Sequence, residues 1–340
     1  MMKQVDFLTN ALNRRIRLNH AVLTGMWQQW IMASTFLMFW VTVGTAAVTA
    51  QTSCPSGRVR TSLAPPKSVY VISPRYSTVL ETAPLLRWHQ ITLPKDSGTP
   101  TYTVQVMNNQ SEVMWRTETA KTEVRYNFDG KGTPLVAGGE YTLQITVNLP
   151  PQLDKNIKYN EEELNQSTSF QVVTPQNKLF LENGLGAIPS NLLPQKEDEL
   201  KSDIYASYRM NDAALSLLEK SISQGGTAPA LARLHYKAGL LYGDVGLWEL
   251  AQNHYEKGLS FAIQANQMDL AAAFRLQLVE SYAMQYSEAN NLKSIKLLEL
   301  LLPYYEAKGD QFALEYVRQN LSTFRENIPL VSPGKALQHK

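Results

Sequence analysis

Residues 233–263 read RLHYKAGLLYGDVGLWELAQNHYEKGLSFAI, and this stretch decides the fold of the C-terminal half of the chain. Gly239 precedes Tyr242 by three residues, and Ala251 precedes Tyr255 by four. Residues three or four apart share one face of an α-helix, so small and aromatic side chains alternate where two helices would touch. A glycine separates the two segments. The stretch therefore predicts two packed helices joined by a tight turn.

The same stretch resembles the tetratricopeptide repeat, a helix-turn-helix unit of about 34 residues. The positions that carry the resemblance, in order and spacing, are Gly239, Tyr242, Gly246, Ala251 and Tyr255. Three positions depart from the repeat pattern, and they are His235, Gly258 and Ile263. Degraded copies flank this unit at Tyr282 and at Ala214. The resemblance implies an all-α array of stacked helix pairs.

Apolar periodicity and helix caps predict seven helices between residues 196 and 327. They are Lys196–Tyr208, Asp212–Ser223, Pro229–Tyr242, Trp248–Ala265, Leu270–Tyr286, Asn291–Ala307 and Gln311–Arg325. A single helix pair leaves apolar surface exposed, and stacking against neighbouring pairs buries it. About three units are therefore needed for a stable array. We expect Pro303 to bend or split the sixth of these helices.

Residues 67–174 show alternating rather than helical periodicity and predict seven strands. They are Val69–Ile72, Leu85–His89, Tyr102–Met107, Glu112–Thr117, Glu123–Tyr126, Tyr141–Asn148 and Ser167–Val173. Strands at this spacing favour an all-β sandwich. Trp88 on an early strand and Tyr141 at the start of a late one resemble the core tryptophan and corner tyrosine of fibronectin type III and immunoglobulin-like domains. Residues 175–195 form a linker in this interpretation.

The first 50 residues predict export. Lys3, Arg14, Arg15 and Arg17 precede a charge-free apolar run, Ile31–Ala50, which ends in small residues. Cleavage after Ala50 would give an exported, periplasmic protein, and an uncleaved run of about 20 residues would anchor the chain in the plasma membrane. We expect membrane contact only through this segment. Residues 51–66 and 328–340 are predicted to be a flexible segment and a disordered tail.

The charge balance excludes a nucleic-acid partner. The chain has 32 Lys and Arg against 30 Asp and Glu, and removal of residues 1–50 takes away four basic residues and one acidic residue, leaving 28 against 29. No basic face is evident in such a near-neutral chain. The whole layout resembles exported bacterial proteins, familiar from cyanobacteria, with a fibronectin-like or immunoglobulin-like domain followed by tetratricopeptide-like repeats. The resemblance implies an architecture and an envelope location without an activity.

Motifs for catalysis and cofactor binding are missing from the sequence. No Gly-x-Ser-x-Gly elbow, His-Glu-x-x-His pair or nucleotide loop occurs. His235 and His254 lie on consecutive predicted helices and could approach each other, yet no carboxylate or cysteine stands at ligand spacing beside them. We expect a protein that is not an enzyme and has no cofactor and no metal.

A stacked repeat array binds through its concave face, which first helices line. The helical register selects Arg233, Tyr236, Lys237, Leu240, Gln277, Glu280 and Met284 as candidate partner-binding residues. Ordinary groove surface with no ligand is an equal alternative. The resemblance does not imply a clamp for a terminal carboxylate. Some tetratricopeptide domains bind such a group through lysine and asparagine, and Tyr236 and Leu240 stand at those positions here.

Two functions follow as hypotheses. The first is a non-enzymatic adaptor of the cell envelope that binds a protein or peptide on the concave face. The second is a carbohydrate or peptidoglycan binder that uses exposed aromatic residues of the β region, namely Tyr76, Trp115 and Tyr126.

Overall fold

Eight strands form the N-terminal part of the described chain. A computed structural model describes residues 68–154, 156–285 and 287–326, which all belong to one compact unit. The strands are β1 (Tyr70–Ser73), β2 (Ser77–Val79), β3 (Leu85–His89), β4 (Thr101–Asn108), β5 (Val113–Thr119), β6 (Glu123–Arg125), β7 (Glu140–Asn148) and β8 (Asn165–Val172). They make a three-stranded sheet with the order β1-β3-β6 and a five-stranded sheet with the order β2-β8-β7-β4-β5.

One apolar core lies between the two sheets. Trp88 of β3 and Tyr102 of β4 are buried, and their rings meet edge to face with centroids 5.5 Å apart. Alternate residues of β7, beginning with Tyr141, point into the same core. The Tyr141 hydroxyl accepts a hydrogen bond from the backbone N–H of Val136 at 2.8 Å. Alternation along β7 thus delivers one side chain in two to the core.

The prediction of an all-β sandwich of the fibronectin type III or immunoglobulin-like kind is wrong. β2 runs parallel to β8, with Ser77 paired to Phe170 and Val79 paired to Val172, so the larger sheet is mixed. Asn160 also begins a short helix, α1 (Glu161–Leu164), through a reciprocal capping box with Glu163. Alternating hydrophobicity indicates which face of a strand is buried, but it carries no information on strand direction. In addition, β2 was absent from the predicted strands. Asn160 followed three residues later by Glu163 is a sequence signal for the start of a helix.

A helical repeat-like array forms the C-terminal region. Its helices are α2 (Pro175–Gly186), α3 (Pro194–Ser207), α4 (Asn211–Ser223), α5 (Ala228–Asp244), α6 (Trp248–Gln264), α7 (Met268–Ala283), α8 (Glu288–Lys308) and α9 (Gln311–Glu326). The predicted linker therefore contains a helix, α2, which Thr174 caps through its side chain and which has Pro175 in its first turn. α8 continues through Pro303, so the expectation that this proline splits the helix is wrong.

The array repeats one kind of turn. At the ends of α3, α6 and α8 and between α5 and α6, a residue with positive φ is followed by a residue whose N–H donates to the carbonyl five positions earlier. The four positive-φ residues are Arg209 (59°), Gly246 (76°), Asn266 (54°) and Gly309 (67°). The four hydrogen bonds run from Met210 to Tyr205, Leu247 to Tyr242, Gln267 to Ala262 and Asp310 to Tyr305. This is the Schellman geometry, which satisfies carbonyls that the helix end leaves free.

The turn at Gly309 gives a stability prediction. A side chain at this position would meet no atom within 4 Å, so the cost of Gly309→Ala comes from the left-handed backbone alone. We expect a loss of about 1 kcal/mol in the free energy of unfolding, measured by urea denaturation. Gly309→Asn should recover much of the loss, because asparagine tolerates this conformation. Equal stability of the alanine variant and the wild type would contradict the assignment.

The sheets and the helices meet through the turn between β1 and β2. Arg75 donates from Nε to the carbonyl of Val245 at 2.7 Å, and burial lowers the pKa of its guanidinium. The hydroxyl of Ser77 donates to Asp212 at the start of α4, at 3.0 Å. Burial raises the pKa of the Asp212 carboxyl, although hydrogen bonds to Ser73 and Ser77 and the charge of Arg87 act in the opposite direction. Polar contacts therefore join the start of α4 and the end of α5 to the turn between β1 and β2.

Several sequence predictions fall on residues outside the described ranges. These are the export segment, the flexible segment 51–66 and the tail 328–340. Within the described ranges, no helix combines the length and the apolar character that crossing a membrane requires.

Candidate binding surface

The predicted concave face lies on two consecutive first helices of the array, α5 and α7. Arg233, Tyr236, Lys237 and Leu240 lie on α5, Gln277 and Glu280 lie on α7, and Met284 caps the end of α7. All seven residues are partly exposed. The Tyr236 ring meets the edge of Phe274 on α7 with centroids 5.2 Å apart, so the two helices are adjacent at this point. The structure thus brings the two halves of the predicted set onto neighbouring helices.

One side of this surface is a network of charges that joins α3 to α5. Lys237 places its Nζ 3.0 Å from Glu199 Oε1 and 2.7 Å from Asp203, and Arg233 Nε lies 3.8 Å from Glu199. Lys196 adds a contact of 3.1 Å to the same carboxylate. Burial would raise the pKa of Glu199, but the facing Lys237 and Lys196 outweigh it and hold that pKa below its usual value. The network keeps a buried carboxylate ionised among three cations.

The other side is aromatic and rests on a buried cluster. Tyr236 lies 6.4 Å from Tyr255 between ring centroids, and the Tyr255 hydroxyl donates to Gln277 Oε1 at 3.2 Å. Tyr255 and Phe274 are fully buried. Tyr236 and Gln277 are therefore held by groups that cannot move without opening the core. A surface supported in this way is rigid, which lowers the entropy cost of binding.

Hydrogen bonds between repeats join each of the first helices α5 and α7 to the helix that precedes it in the chain. The hydroxyl of Tyr242 donates to Glu219, and the hydroxyl of Tyr282 donates to Glu256 at 2.7 Å. Each tyrosine lies on a first helix, and each glutamate lies on the helix just before it in space. The two bonds are equivalent in successive units, because one joins α5 to α4 and the other joins α7 to α6.

The two histidines named from the sequence do meet. Nδ1 of His235 lies 3.1 Å from Nδ1 of His254, and Phe261 stacks on His235 with centroids 5.7 Å apart. Burial lowers the pKa of both imidazoles to about 4, with a smaller contribution from the nearby charge of Lys257. Both rings are neutral at pH 7, so the N–H of one ring donates a hydrogen bond to the unprotonated Nδ1 of the other. Across residues 68–326, apart from 155 and 286, no group of three or more His, Cys, Asp or Glu is arranged to hold a metal ion.

The aromatic residues of the carbohydrate hypothesis are mostly inside the protein. Trp115 is 3% exposed and Tyr126 is 1% exposed, whereas Tyr76 is 38% exposed. Trp115 donates from Nε1 to Asp129 at 2.9 Å, and the Tyr126 hydroxyl donates to the carbonyl of Thr133. The expected exposure of Trp115 and Tyr126 is wrong, because both rings point into the core. A flat aromatic platform for a sugar is not formed by these three residues.

Sequence reasoning missed the polar contacts at Asp212 and Arg75. The partners of both residues are more than 100 positions away in the chain, and local sequence patterns carry no information on such contacts. Asp212 begins a helix that the sequence predicts, and nothing in that pattern indicates its contact with Ser77.

Comparison with protein-family models finds no matching family, and comparison with curated proteins finds no match.

Proposed function

We propose that the protein is a non-enzymatic adaptor of the cell envelope, in which tetratricopeptide-like helices bind a protein or peptide partner. The observation that carries the proposal is the surface of α5 and α7. It presents partly exposed aromatic and charged side chains on a rigid, buried support. Tyrosine and arginine are the residue types enriched where binding energy concentrates.

The location in the envelope rests on the basic segment and apolar run of residues 1–50. In this proposal the chain is either periplasmic after cleavage or attached to the plasma membrane by the uncleaved segment. Orientation follows from the excess of Lys and Arg before the apolar run, which stays on the cytoplasmic side. The binding surface then faces away from the cytoplasm.

The partner docks as a segment against Tyr236 and the polar rim of Lys237, Gln277 and Glu280. Lys237 is engaged with Glu199 and Asp203, so a partner carboxylate would have to share or replace these contacts. The surface therefore favours a partner of mixed character, with an apolar side chain for Tyr236 and Leu240 and hydrogen-bonding groups for the rim. No nucleic acid fits this balance.

A crosslinking pull-down from envelope fractions tests the proposal. The bait is the chain from Gln51, compared with a variant that carries Tyr236→Ala, Lys237→Ala and Glu280→Ala together. We expect the wild type to capture a specific protein and the triple variant to recover at least about ten times less, because removal of a buried aromatic contact alone costs on the order of 2 kcal/mol.

A matched control changes three exposed residues on the opposite helix α6, Asn253→Ala, Lys257→Ala and Gln264→Ala. This control should capture the same protein as the wild type. Thermal unfolding of all three chains shows whether the fold is kept. If both triple variants are folded and capture the protein equally well, the partner does not bind on this surface. Recovery of glycan alone would indicate that the β region is the binding part of the protein.

A further inference from the structure

β5 is an open edge of the larger sheet. The strand order β2-β8-β7-β4-β5 gives β5 one neighbour in the part of the chain that the structure describes. The other edge strand, β2, has three residues and packs against α4, whereas β5 has seven. An edge of this length presents unpaired N–H and C=O groups to a further strand.

The direction of the open backbone groups follows from one hydrogen bond. The carbonyl of Met114 points away from β4 and accepts the N–H of Thr133 at 2.9 Å. Backbone groups along a strand alternate with a period of two, so those of Arg116 and Glu118 point to the same open side. Residues 127–133 thus cover the start of the edge, and no other residue that the structure describes pairs with the outer side of the section from 115 to 119.

Charge complementarity identifies what this edge fits. The side chains of Arg116 and Glu118 share one face of β5, and their charged atoms lie 3.8 Å apart with more than half of each side chain exposed. A second copy of β5 can pair with the first in the antiparallel direction, so that the twofold axis between the two copies passes between their Thr117 residues. Arg116 of each copy then lies opposite Glu118 of the other, and each of these two pairs exchanges two backbone hydrogen bonds.

Neighbouring registers lack this match. With the axis at Arg116 two arginines face each other, and with the axis at Glu118 two glutamates do. Like charges directly opposite each other destabilise a strand pair. An extended peptide of arbitrary sequence would not select one register. The spacing of the two charges about Thr117 is therefore specific for a second copy of this chain.

We propose that the protein forms a homodimer through β5, with the twofold axis at Thr117, so that the two larger sheets join into one sheet. Exposed apolar side chains lie at the covered start of the edge, namely Val113 at 53% and Phe128 at 61% exposure. The open section is short, so the dimer is of modest affinity and forms at raised concentration. Dimerisation would double the number of helical binding surfaces in one particle and does not depend on the proposed function.

Crosslinking in the full chain tests the register. The single native cysteine, Cys54, is first changed to serine. Thr117→Cys then places two sulfurs across the axis, where opposite Cα atoms of a non-hydrogen-bonded pair lie about 4.5 Å apart, within reach of a disulfide. We expect a disulfide-linked dimer with Thr117→Cys under mild oxidation, and several times less of it with Thr119→Cys, which faces residue 115 of the other copy.

A charge exchange tests the pairing. Arg116→Glu alone and Glu118→Arg alone each place like charges opposite each other, and each should weaken association by about ten-fold or more in sedimentation equilibrium. The double variant Arg116→Glu, Glu118→Arg restores opposite charges and should restore association. Equal crosslinking at positions 117 and 119, or a monomeric wild type that the charge changes do not affect, would overturn the proposal and leave the two charges as protection of a free edge.

Discussion

Replacement of Gly258 by alanine is expected to destabilise the protein by roughly 3 kcal/mol, because a Cβ atom at this position has no space. It would lie 2.2 Å from Cζ and 2.5 Å from Cε1 of Phe274, and 2.9 Å from Cβ of His235. The Phe274 ring is fully buried, and a Cβ atom cannot move without its backbone. The higher helix propensity of alanine offsets about 1 kcal/mol of a larger steric cost.

Thermal unfolding measures this effect, with an expected fall in the melting temperature of roughly 6 to 12 °C. Gly186→Ala is the matched control, since Gly186 is also helical and a Cβ atom there would meet nothing within 4 Å. The control should be neutral or slightly stabilising. A melting temperature for Gly258→Ala within about 2 °C of the wild type would show that α6 and α7 are packed less closely than the structure has them.

The same geometry explains two departures from the repeat pattern that the sequence revealed. Alanine is usual at the place of Gly258, and an aromatic residue is expected at the place of His235. In the structure the two positions touch, because a Cβ atom at position 258 would lie 2.9 Å from Cβ of His235. The His235 ring lies against His254 and Phe261 of α6. Glycine at 258 then makes room for Phe274 of the next repeat, so the two departures are parts of one packing solution.

The helical region was largely predictable because its signals are local. The predicted helix Trp248–Ala265 and the observed Trp248–Gln264 differ by one residue. Gly246 and Gly309 marked two of the four left-handed turns, since glycine is the usual residue at such a helix end. Arg209 and Asn266 adopt the same conformation at the other two turns without a glycine to show it. The repeat of the turn is therefore clearer in the backbone than in the sequence.

The β region was predictable only in part, because strand pairing is not local. The seven predicted strands recur, yet the parallel pairing of β2 with β8 joins residues more than 90 positions apart. No periodicity within a strand reports such a partner. The candidate surface likewise combines local and non-local features. Helical register grouped the chosen residues on single faces of α5 and α7. The residues that pair with Lys237 are Glu199 and Asp203, and they lie on α3, which no sequence motif linked to α5.

Acidification is expected to destabilise the protein through the pair His235 and His254. In the folded chain the pKa of each imidazole is about 4, against an ordinary value of 6.5, because burial disfavours the charged ring. The unfolded chain therefore binds protons between pH 6.5 and pH 4 that the folded chain does not. The contribution of the pair is fully present above about pH 6.5 and is lost progressively as the pH falls towards 4.

The expected loss between pH 7 and pH 5 is on the order of 2 kcal/mol for each histidine, since one pKa unit corresponds to about 1.4 kcal/mol. Urea denaturation at pH 7, 6 and 5 compares the wild type with the double variant His235→Phe, His254→Phe, which cannot take up these protons. The difference in stability between pH 7 and pH 5 should be smaller in the variant by at least about 2 kcal/mol, whatever its absolute stability. Proton NMR of the imidazole ring hydrogens checks the cause directly, because neither ring should titrate above pH 5. Two histidines that titrate near 6.5, with the same pH dependence in both chains, would mean that the rings are solvated and that the helices α5 and α6 do not enclose them.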